Sequence, residues 1–446
     1  MPVNARETAL RVLQELESGN RKSEEVLNRL LERTEAGRSD RALARELVSG
    51  TLKYRLQCDF VISKFYRHDY AKAAPVLKNI LRLGAYQLLH LDRVPRPAAV
   101  DECVKLARKF KGDHLSRLVN GVLRKISPKT VLLDEWTAGM EEAARLSVLF
   151  SYPEWLVGRW LARYGSGRAE AMLRHGNLPP ATAYRVNRLK GTPDEVAGRK
   201  GLEGVRRLDD GLDNFLFSQE FTLMEPLLAE GAVSVQNPSQ ALACLLAAPA
   251  PGSTVYDMCA APGGKSTLMA ELMGDNGRII ALDRSARKLE RVASNARALG
   301  ITSIEPKEGD ALDFDPGCAP DTILLDAPCT GTGVLGRRAE LRWRTGPDKL
   351  TELAALQQAL LDRASTVLKP GGTLIYATCS VEPEENELQV AAFLGRHPEF
   401  EASPIPAGFP APFLPAETGD GWLLTLPGER EGFDGGFAAR LRKTEA

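Results

Sequence analysis

Two cysteines in the C-terminal half of the chain occupy similar positions, each soon after a short apolar run. Cys329 lies in Asp326-Ala-Pro-Cys-Thr-Gly-Thr-Gly333, and Cys379 lies in Ala377-Thr-Cys-Ser380. If the runs before them are strands of one parallel sheet, both thiols can reach one pocket, because the carboxyl ends of such strands open on the same face. A lone cysteine is usually a small buried hydrophobe. Two at strand ends beside a ligand site favour a catalytic role.

Such a pair suits one reaction on a pyrimidine ring. Carbon 5 of cytosine is a poor nucleophile, but a thiolate that adds to carbon 6 converts the ring to an enamine, whose carbon 5 can attack a methyl sulfonium. The thiolate must be accessible and have a lowered pKa. Asp326 is predicted to hydrogen-bond ring N3 and the amino group, and a base must later remove the carbon-5 proton. The cytosine must be unpaired or flipped out. The residues alone leave open which cysteine attacks.

A glycine turn further upstream predicts a ligand site. Val255 and Tyr256 suit a strand, Pro262-Gly263-Gly264 cannot continue it, and residues 266–273 have helical composition. A strand, a tight glycine turn and a helix N-terminus form a site for a nucleotide-like ligand. The turn lacks the Gly-x-Gly-x-x-Gly pattern, and Cys259 stands where a phosphate-binding P-loop has its first glycine. Both differences disfavour a dinucleotide or nucleoside triphosphate.

Two carboxylates after the turn narrow the choice of ligand. Asp283 ends the next predicted strand, about 20 residues after the glycines, where a carboxylate accepts hydrogen bonds from ribose hydroxyls. Asp310 is placed to contact an adenine amino group. These carboxylates would repel a pyrophosphate but suit a nucleoside with a cationic tail, so S-adenosyl-L-methionine is the predicted cofactor. The alternative for Asp283 is that it only caps the following helix.

The elements that must position these residues alternate between strand and helix. The predicted strands cover 253–257, 278–283, 303–308, 321–326 and 372–378, and the helices cover 266–273, 286–299 and 348–368. This alternation predicts an α/β fold, a doubly wound parallel sheet with right-handed crossovers. The proline-rich residues 404–415 are expected to form an irregular loop.

The N-terminal part of the chain has a different pattern. Residues 4–126 are predicted to be helical almost throughout, with about seven helices packed as a bundle. Apolar residues recur there with the period of one buried helix face: Leu77, Ile80, Leu81, Gly84 and Leu88. Residues 127–140 are predicted to be a linker. Residues 141–235 are predicted to be a small mixed subdomain, with helices, a strand over 182–189 and a short helix capped by Thr192.

Charge is distributed unevenly although the chain has no net charge. Residues 1–210 hold 38 Lys and Arg against 26 Asp and Glu, whereas residues 211–446 hold 20 against 32. A basic front half predicts an anionic partner, although a solvated surface of mixed sign is the alternative. The residues predicted to line an RNA groove are Arg41, Arg45, Lys53, Arg55, Lys105, Arg108, Lys109, Lys111, Arg117, Arg124 and Lys125.

The overall composition excludes several classes of protein. The chain has 446 residues, enough for two or three domains. No apolar run approaches the roughly 18 residues of a membrane span, and the N-terminus lacks a signal-peptide pattern, so a cytoplasmic protein is expected. The seven cysteines form no Cys-x-x-Cys pair and the five histidines have no metal-ligand spacing, which argues against a metal site or a disulfide framework. A monomer is expected.

Three motifs resemble the signature motifs of the NOL/NOP/Sun family of RNA cytosine-C5 methyltransferases. They are Asp257-Met-Cys-Ala-Ala-Pro-Gly-Gly-Lys265, Asp326-Ala-Pro-Cys-Thr-Gly-Thr-Gly333 and Ala377-Thr-Cys-Ser-Val-Glu-Pro-Glu-Glu-Asn386, and Val235-Gln-Asn-Pro-Ser239 and Gly435-Gly-Phe-Ala-Ala-Arg-Leu441 also match. The resemblance implies a Rossmann-like class I methyltransferase domain over residues 236–446. It implies that Cys379 is the nucleophile and that Cys329 assists product release. It also implies cofactor contacts by Cys259, Ala260, Ala261, Pro262, Gly263, Gly264, Lys265, Asp283, Asp310 and Asp326.

The helical segment resembles the NusB family of RNA-binding domains. The matching stretches are Leu47-Val-Ser-Gly-Thr-Leu52, Ile80-Leu-Arg-Leu-Gly-Ala-Tyr-Gln-Leu-Leu89, Val94-Pro95, Ala98-Ala-Val-Asp-Glu102 and Val119-Asn-Gly-Val-Leu-Arg-Lys125. The resemblance implies an all-α RNA-binding domain over residues 1–130, joined through the mixed subdomain at 141–235 to the catalytic domain. This architecture resembles the bacterial small-subunit branch of the family, which implies 16S rRNA as the substrate.

Two alternatives remain beside this interpretation. The same chemistry can act on tRNA or 23S rRNA. A non-catalytic RNA-binding or antitermination factor can keep the fold, but it would be expected to lack one of the paired cysteines or Asp326. One segment departs from the small-subunit branch, because Ala339-Glu340 follows Arg337-Arg338 where His-Pro-Asp is common. Four arginines of this segment are predicted to form an RNA-facing patch: Arg337, Arg338, Arg342 and Arg344.

Overall fold

The structure is a computed structural model that describes residues 4–17, 19, 21–199, 201–202, 204–208, 211–413 and 421–445. The chain divides into two compact units. Unit 1 contains residues 1–178 and 335–346, and unit 2 contains residues 179–334 and 347–446. Each unit has an apolar core of its own. Within the described residues, no helix is both long and apolar enough to cross a membrane.

Unit 1 is helical. Its helices are α1 (Ala5–Glu17), α2 (Ser23–Glu32), α3 (Arg38–Lys53), α4 (Arg55–Phe65), α5 (Pro75–His90), α6 (Arg96–Leu123), α7 (Leu133–Thr137), α8 (Glu142–Phe150) and α9 (Glu154–Asn177). Gly112, with φ +80°, interrupts α6, so the described part of residues 4–126 contains seven helical segments, as predicted. The predicted linker at 127–140 was partly wrong, because it contains α7.

The predicted apolar face of α5 lies in the core of unit 1. Leu77, Ile80, Leu81 and Leu88 are each at most 5% exposed. Gly84 on the same face permits close packing, since a Cβ atom there would lie 2.4 Å from the side chain of Leu123 in α6. The helical period of these apolar residues in the sequence therefore predicted the buried face of α5 correctly.

A segment that follows the Cys329 motif in sequence belongs to unit 1. Residues 335–346 include a short 3-10 helix, Ala339–Trp343, and within it Arg342 is fully buried at 0% exposure. The Arg342 guanidinium donates hydrogen bonds to four oxygen atoms, those of the Lys53, Ser151 and Gly176 carbonyls and the Asn177 side chain. It also lies 3.7 Å from the ring centroid of Tyr152. The indole N–H of Trp343 donates to the Leu52 carbonyl at 2.7 Å.

These contacts correct the predicted arginine patch. Arg342 does not face solvent, and Arg344 donates to the carbonyls of Arg21 and Leu16. The predicted set of RNA-groove residues is also wrong at one position, because Lys53 is buried and donates to the Leu178 carbonyl at 2.9 Å. The cause in each case is the same. Backbone carbonyls at helix ends need donors, and these long basic side chains supply them.

We predict that Arg342→Met destabilises unit 1 by about 3 kcal/mol or more, because it leaves four buried acceptors without their donor. Urea denaturation followed by helical circular dichroism measures the loss. Lys129→Met removes an exposed cation of the same unit and is expected to change stability by less than about 0.5 kcal/mol. Equal effects of the two substitutions would contradict a structural role for Arg342.

Unit 2 combines two sheets with helices. Its strands are β1 (Thr182–Val186), β2 (Arg206–Arg207), β3 (Phe215–Ser218), β4 (Val233–Val235), β5 (Thr254–Asp257), β6 (Arg278–Asp283), β7 (Ile304–Glu308), β8 (Thr322–Asp326), β9 (Thr373–Thr378), β10 (Phe400–Ala402), β11 (Trp422–Thr425) and β12 (Gly436–Lys443). Its helices are α10 (Pro193–Ala197), α11 (Phe221–Ala229), α12 (Pro238–Ala247), α13 (Gly264–Leu272), α14 (Ala286–Leu299), α15 (Pro347–Val367) and α16 (Glu387–Arg396).

The large sheet confirms the predicted fold class. Its strand order is β10-β12-β9-β8-β5-β6-β7, and the strands β5 to β9 are all parallel to one another. The chain runs outward from β5 in one direction and from β8 in the other, so the switch point at which ligands bind in such sheets lies between β5 and β8. The sequence analysis missed β10, β11 and β12, which pair antiparallel beyond β9. Of the predicted loop at 404–415, residues 404–413 contain no strand, and 414–415 lie outside the described residues.

The small sheet has the order β2-β3-β1-β4 and is antiparallel. The predicted strand near 182–189 is confirmed over β1, and Thr192 forms a capping box with Glu195 at the start of α10. The predicted domain boundaries at 130, 141 and 236 stay a prediction.

Candidate active site

The glycine turn between β5 and α13 is tied to the neighbouring strands. The Met258 N–H donates to the Leu324 carbonyl of β8, and the Ala260 N–H donates to the Leu282 carbonyl of β6. Gly263 has φ +100°, and a Cβ atom there would lie 3.2 Å from the backbone of Val292. A glycine is therefore required, both by the left-handed backbone and by the close approach of α14. The predicted contact residues Cys259 to Lys265 all lie on this turn or on the first turn of α13.

Lys265 connects the glycine turn with the end of β8. Its ammonium donates to Asp326 Oδ2 at 2.6 Å and to the side chain of Gln240. Burial acts to lower the pKa of Lys265, but Asp326 outweighs it, so the net pKa is raised. Lys265 is also close enough to Cys379 to interact with it electrostatically. A charged lysine therefore lies beside both Asp326 and one of the two cysteines.

The two predicted catalytic cysteines lie together. Cys329 Sγ and Cys379 Sγ are 3.2 Å apart. Their hydrogen bond, together with burial, raises the pKa of the Cys329 thiol well above its ordinary range. The raised pKa favours the protonated form of Cys329, and either sulfur atom can be the donor of this hydrogen bond. The pair lies where β8 and β9, which are adjacent, both end.

A buried carboxylate that the sequence analysis did not single out holds the loop of Cys329. Glu385 is 0% exposed. Its Oε1 accepts from the Thr330 N–H at 2.8 Å and from Gln357 Nε2 at 3.0 Å, and its Oε2 accepts from the Thr330 hydroxyl. Burial raises the pKa of Glu385, although these donors oppose the shift. The position of Glu385 within the motif of residues 377–386 was the sequence feature that could have identified it.

Hydroxyl groups connect the loops of the two cysteines. Ser380 Oγ lies 3.1 Å from Thr332 Oγ1 and 3.3 Å from Thr330 Oγ1. The Gly333 N–H donates to the Cys379 carbonyl at 3.0 Å. These contacts fix one loop against the other, which sets the distance between the two sulfur atoms.

The two predicted cofactor carboxylates lie at the ends of β6 and β7. Asp283 Oδ1 accepts from the Ser285 N–H at 3.0 Å and lies 3.6 Å from Lys288. Asp310 Oδ2 pairs with Arg284 at 2.9 Å, and its Oδ1 accepts from the Leu312 N–H. Asp283 Oδ1 therefore contacts the turn just before α14. In the alternative interpretation, in which Asp283 only caps this helix, a local contact of this sort would be its sole role. Among the described residues no cluster of His, Cys, Asp and Glu has the geometry of a metal site.

An arginine from the small sheet fixes the helix that begins at the glycine turn. Arg185 of β1 is 0% exposed. It donates to Glu271 Oε1 at 2.6 Å, to Thr267 Oγ1 at 3.1 Å and to the Gly264 carbonyl at 3.0 Å. Burial raises the pKa of Glu271, and Arg185 opposes that shift. The sequence analysis placed Arg185 on a strand but gave it no role.

We predict that Arg185→Met costs about 3–5 kcal/mol of stability, because it leaves Glu271 buried without its partner. The double substitution Arg185→Met with Glu271→Leu is expected to recover most of that loss, since no buried charge remains. Urea denaturation of the wild type, both single variants and the double variant completes the cycle. Additive losses would show that the two side chains act independently.

Asp257, at the end of β5, has a strongly perturbed acidity. It is 1% exposed and accepts a hydrogen bond from Ser266 Oγ at 2.7 Å. Burial raises the pKa of Asp257 from 3.8 to about 7, although the Ser266 hydrogen bond opposes the shift. Between these two values the folded state holds a proton that the unfolded state has lost, so the stability of the protein falls as the pH rises through this window.

We predict that Asp257→Asn removes this pH dependence. The gain in stability of the variant over the wild type is expected to be larger at about pH 8 than at about pH 5, by about 2.5 kcal/mol, because roughly two pH units separate pH 5 from the folded-state pKa of about 7. Urea denaturation of both proteins at the two pH values tests it. An unchanged difference between the proteins would mean that Asp257 does not titrate in this range.

Comparisons with known proteins agree with this geometry. A family model described as 16S rRNA methyltransferase RsmB/F matches residues 243–442, a NusB family model matches 3–128, and a ferredoxin-like domain model of RsmF/B-like methyltransferases matches 152–203. A Synechocystis protein named probable ribosomal RNA small subunit methyltransferase B is 34% identical over 99% of this chain and 100% of its own length. The Klebsiella pneumoniae ribosomal RNA small subunit methyltransferase B is 35% identical over 91% of this chain and 90% of its own.

A solved structure is similar over the whole chain. The crystal structure of PH0851 has a TM-score of 0.80 and 27% identity, and the similarity covers 99% of this chain and 100% of that one. The parallel sheet with its glycine turn at the switch point, preceded in sequence by a NusB-type helical domain, defines a Rossmann-like methyltransferase. The chain belongs to the ribosomal RNA small subunit methyltransferase B family.

Proposed function

We propose that this protein transfers a methyl group from S-adenosyl-L-methionine to carbon 5 of a cytosine in RNA, through a covalent bond between Cys379 and carbon 6. The observation that carries the proposal is the pair of thiols 3.2 Å apart with a lysine–aspartate pair beside them. A single cysteine has many explanations. A protonated thiol that lies next to a second thiol and a buried cation has few possible explanations.

The residues around the glycine turn fit the proposed cofactor. The turn brings backbone to the switch point, and the carboxylates of Asp283 and Asp310 follow the two strands on one side of it. The contacts of Asp283 among the described residues use Oδ1, which leaves Oδ2 for a ribose hydroxyl. Asp310 would accept from the adenine amino group. When bound, S-adenosyl-L-methionine supplies the electrophilic methyl group.

The environment of the cysteines supports Cys379 as the nucleophile. Cys329 has a raised pKa and can donate its proton towards Cys379, and the Lys265 ammonium is nearby. A hydrogen-bond donor and a cation both favour a thiolate on Cys379. That thiolate adds to carbon 6, and carbon 5 then takes the methyl group. After the carbon-5 proton is removed, the bond between Cys379 and carbon 6 breaks, and Cys329 assists this release.

Asp326 and Lys265 are proposed to hold the cytosine. Asp326 Oδ2 is bonded to Lys265, which fixes the direction of the carboxylate. Its other oxygen can accept from the exocyclic amino group of cytosine, which uracil lacks. The adjacent ammonium favours negative charge that develops on the ring during attack. Together they would orient carbon 6 towards Cys379.

The proposed substrate is small-subunit ribosomal RNA. The relatives named above are methyltransferases of that RNA by name, and they align with this chain over most or all of both lengths. The NusB-type domain and the basic front half of the chain support an RNA partner. The same chemistry on tRNA or 23S rRNA would leave a methyl group on a different molecule, which the experiment below distinguishes.

We predict that Cys379→Ala abolishes methyl transfer, because no thiolate can then activate carbon 5. Cys329→Ala should accumulate a covalent protein–RNA adduct that survives denaturing electrophoresis, since release is impaired. The assay uses purified full-length protein, radioactive S-adenosyl-L-methionine and total RNA from cells that lack the protein. Bisulfite sequencing of the RNA then identifies the methylated molecule and cytosine.

Two controls complete this experiment. Cys318→Ala removes an exposed cysteine and should keep full activity without an adduct. The double variant Cys329→Ala with Cys379→Ala should form no adduct, since the attacking thiol is gone. Methyl transfer by Cys379→Ala would overturn the assignment of the nucleophile, and a methyl group found only in tRNA or 23S rRNA would overturn the proposed substrate.

A further inference from the structure

Unit 1 contains a large polar cavity that is separate from the residues of the proposed reaction. Its volume is about 690 Å³, within the range of small-molecule sites in proteins. It is lined by side chains from α1, α3, α4 and α5 and by residues of the segment 335–346. The charged residues that line it are Glu17, Arg55, Lys78, Arg82, Glu340 and Arg344. The cavity is therefore built by two stretches of sequence, one that ends at Arg82 and one that begins at Glu340.

Most of these charged groups already have partners. Arg82 forms two hydrogen bonds of 2.7 Å with the Asp59 carboxylate. Glu17 accepts from Asn79 at 2.9 Å, and Glu340 accepts from Ser23 at 3.0 Å. The guanidinium of Arg344 donates to two backbone carbonyls.

Arg55 is the exception. Its guanidinium forms no ion pair with any described residue, and it lies over the Trp343 ring at 5.4 Å from the centroid. Burial and the neighbouring Arg82 lower the pKa of Arg55, and the carboxylates of Asp59 and Glu17, both of which pair with Arg82, act in the opposite direction. Lys78 lines the same cavity and has no carboxylate partner in the described part of the chain; it donates to the Ala71 carbonyl at 2.6 Å and lies 5.7 Å from the centroid of the Tyr70 ring.

A half-buried guanidinium without a partner is unfavourable unless an anion completes the site. The planar guanidinium matches the two oxygens of a phosphate group, and Lys78 supplies a second cation. Trp343 holds the guanidinium from one side, so the group is oriented before a ligand arrives. A backbone phosphate is the anion that the proposed RNA substrate carries at high density.

We propose that this cavity binds a backbone phosphate of the RNA substrate, with Arg55 as the principal contact and Lys78 as the second. The proposal rests on the proposed function, because it takes RNA as the partner. It adds a binding site at a defined place in unit 1, formed jointly by the helical domain and the segment that follows the Cys329 motif. In this proposal the segment contributes Trp343 to RNA binding, whereas its Arg342 and Arg344 bind backbone carbonyls within unit 1.

The test compares full-length wild type, Arg55→Gln, Lys78→Gln and the control Arg67→Gln in filter binding to transcribed small-subunit rRNA across a potassium chloride series. Arg67 is an exposed arginine of the same unit that does not line the cavity. Arg55→Gln should weaken binding about 3- to 10-fold and reduce the slope of log affinity against log salt by about 0.7–0.9, the value for one lost phosphate contact. Arg67→Gln should match the wild type.

A second measurement separates binding from structure. Removing an unpaired charge should leave the Tm of Arg55→Gln unchanged or higher, and methyl transfer at saturating RNA should keep its kcat while KM rises. If Arg55→Gln lowers the Tm, the proposal stands only if Lys78→Gln shows the same loss of affinity at wild-type Tm. Unchanged affinity and salt slope in both variants would overturn it.

Two further outcomes are decisive. If inorganic phosphate raises the Tm of the wild type but not of Arg55→Gln, while both bind rRNA equally, the cavity is a site for free phosphate and the RNA proposal is wrong. If the wild type neither binds nor methylates the rRNA, the proposed function itself fails. If the wild type methylates the rRNA and Arg55→Gln binds it as tightly as the wild type does, the proposed phosphate site in the cavity is wrong and the proposed function is unaffected.

Discussion

The distance between the thiols of Cys329 and Cys379 depends on a carboxylate that has no access to solvent. Glu385 accepts hydrogen bonds from the backbone and the side chain of Thr330, the residue after Cys329. Gln357 donates to the same carboxylate and to the Pro328 carbonyl, on the other side of Cys329. A buried carboxylate is unfavourable unless donors surround it, and here the donors are the loop that must be held in place. The cost of burying the charge is thereby coupled to the position of Cys329.

Buried arginines play a corresponding part in both units. Arg342 in unit 1 and Arg185 in unit 2 are fully buried and donate mainly to oxygen atoms from distant parts of the chain. The guanidinium carries five donors in a rigid plane, which suits this task better than the single ammonium of a lysine. Arg55 differs from both because its guanidinium donates no hydrogen bond to any described residue and lies over the Trp343 ring instead, so it is free to contact a ligand. The surroundings of an arginine therefore decide whether its guanidinium connects distant segments of the chain or is available to contact a ligand.

Much of the catalytic domain could be predicted from local sequence. Buried parallel strands appear as short apolar runs, and β6 and α14 were predicted with the bounds that the structure shows. The strands β10 to β12 were missed because their pairing is with distant residues and their own sequence is less distinctive. The helix α7 was missed because a five-residue helix carries little periodic signal.

The sequence by itself determined the order of elements, the glycine turn, and the presence of Cys329, Cys379 and Asp326 at strand ends. It did not determine which charged groups are buried or what they contact. Arg342 and Lys53 are 289 residues apart in the chain yet share a hydrogen bond, and Thr330 and Glu385 are separated by 55. Burial and pairing of polar groups arise only when distant segments meet. For that reason only the tertiary structure showed that Glu385 holds the loop of Cys329 and that one predicted RNA contact, Arg342, is a core residue.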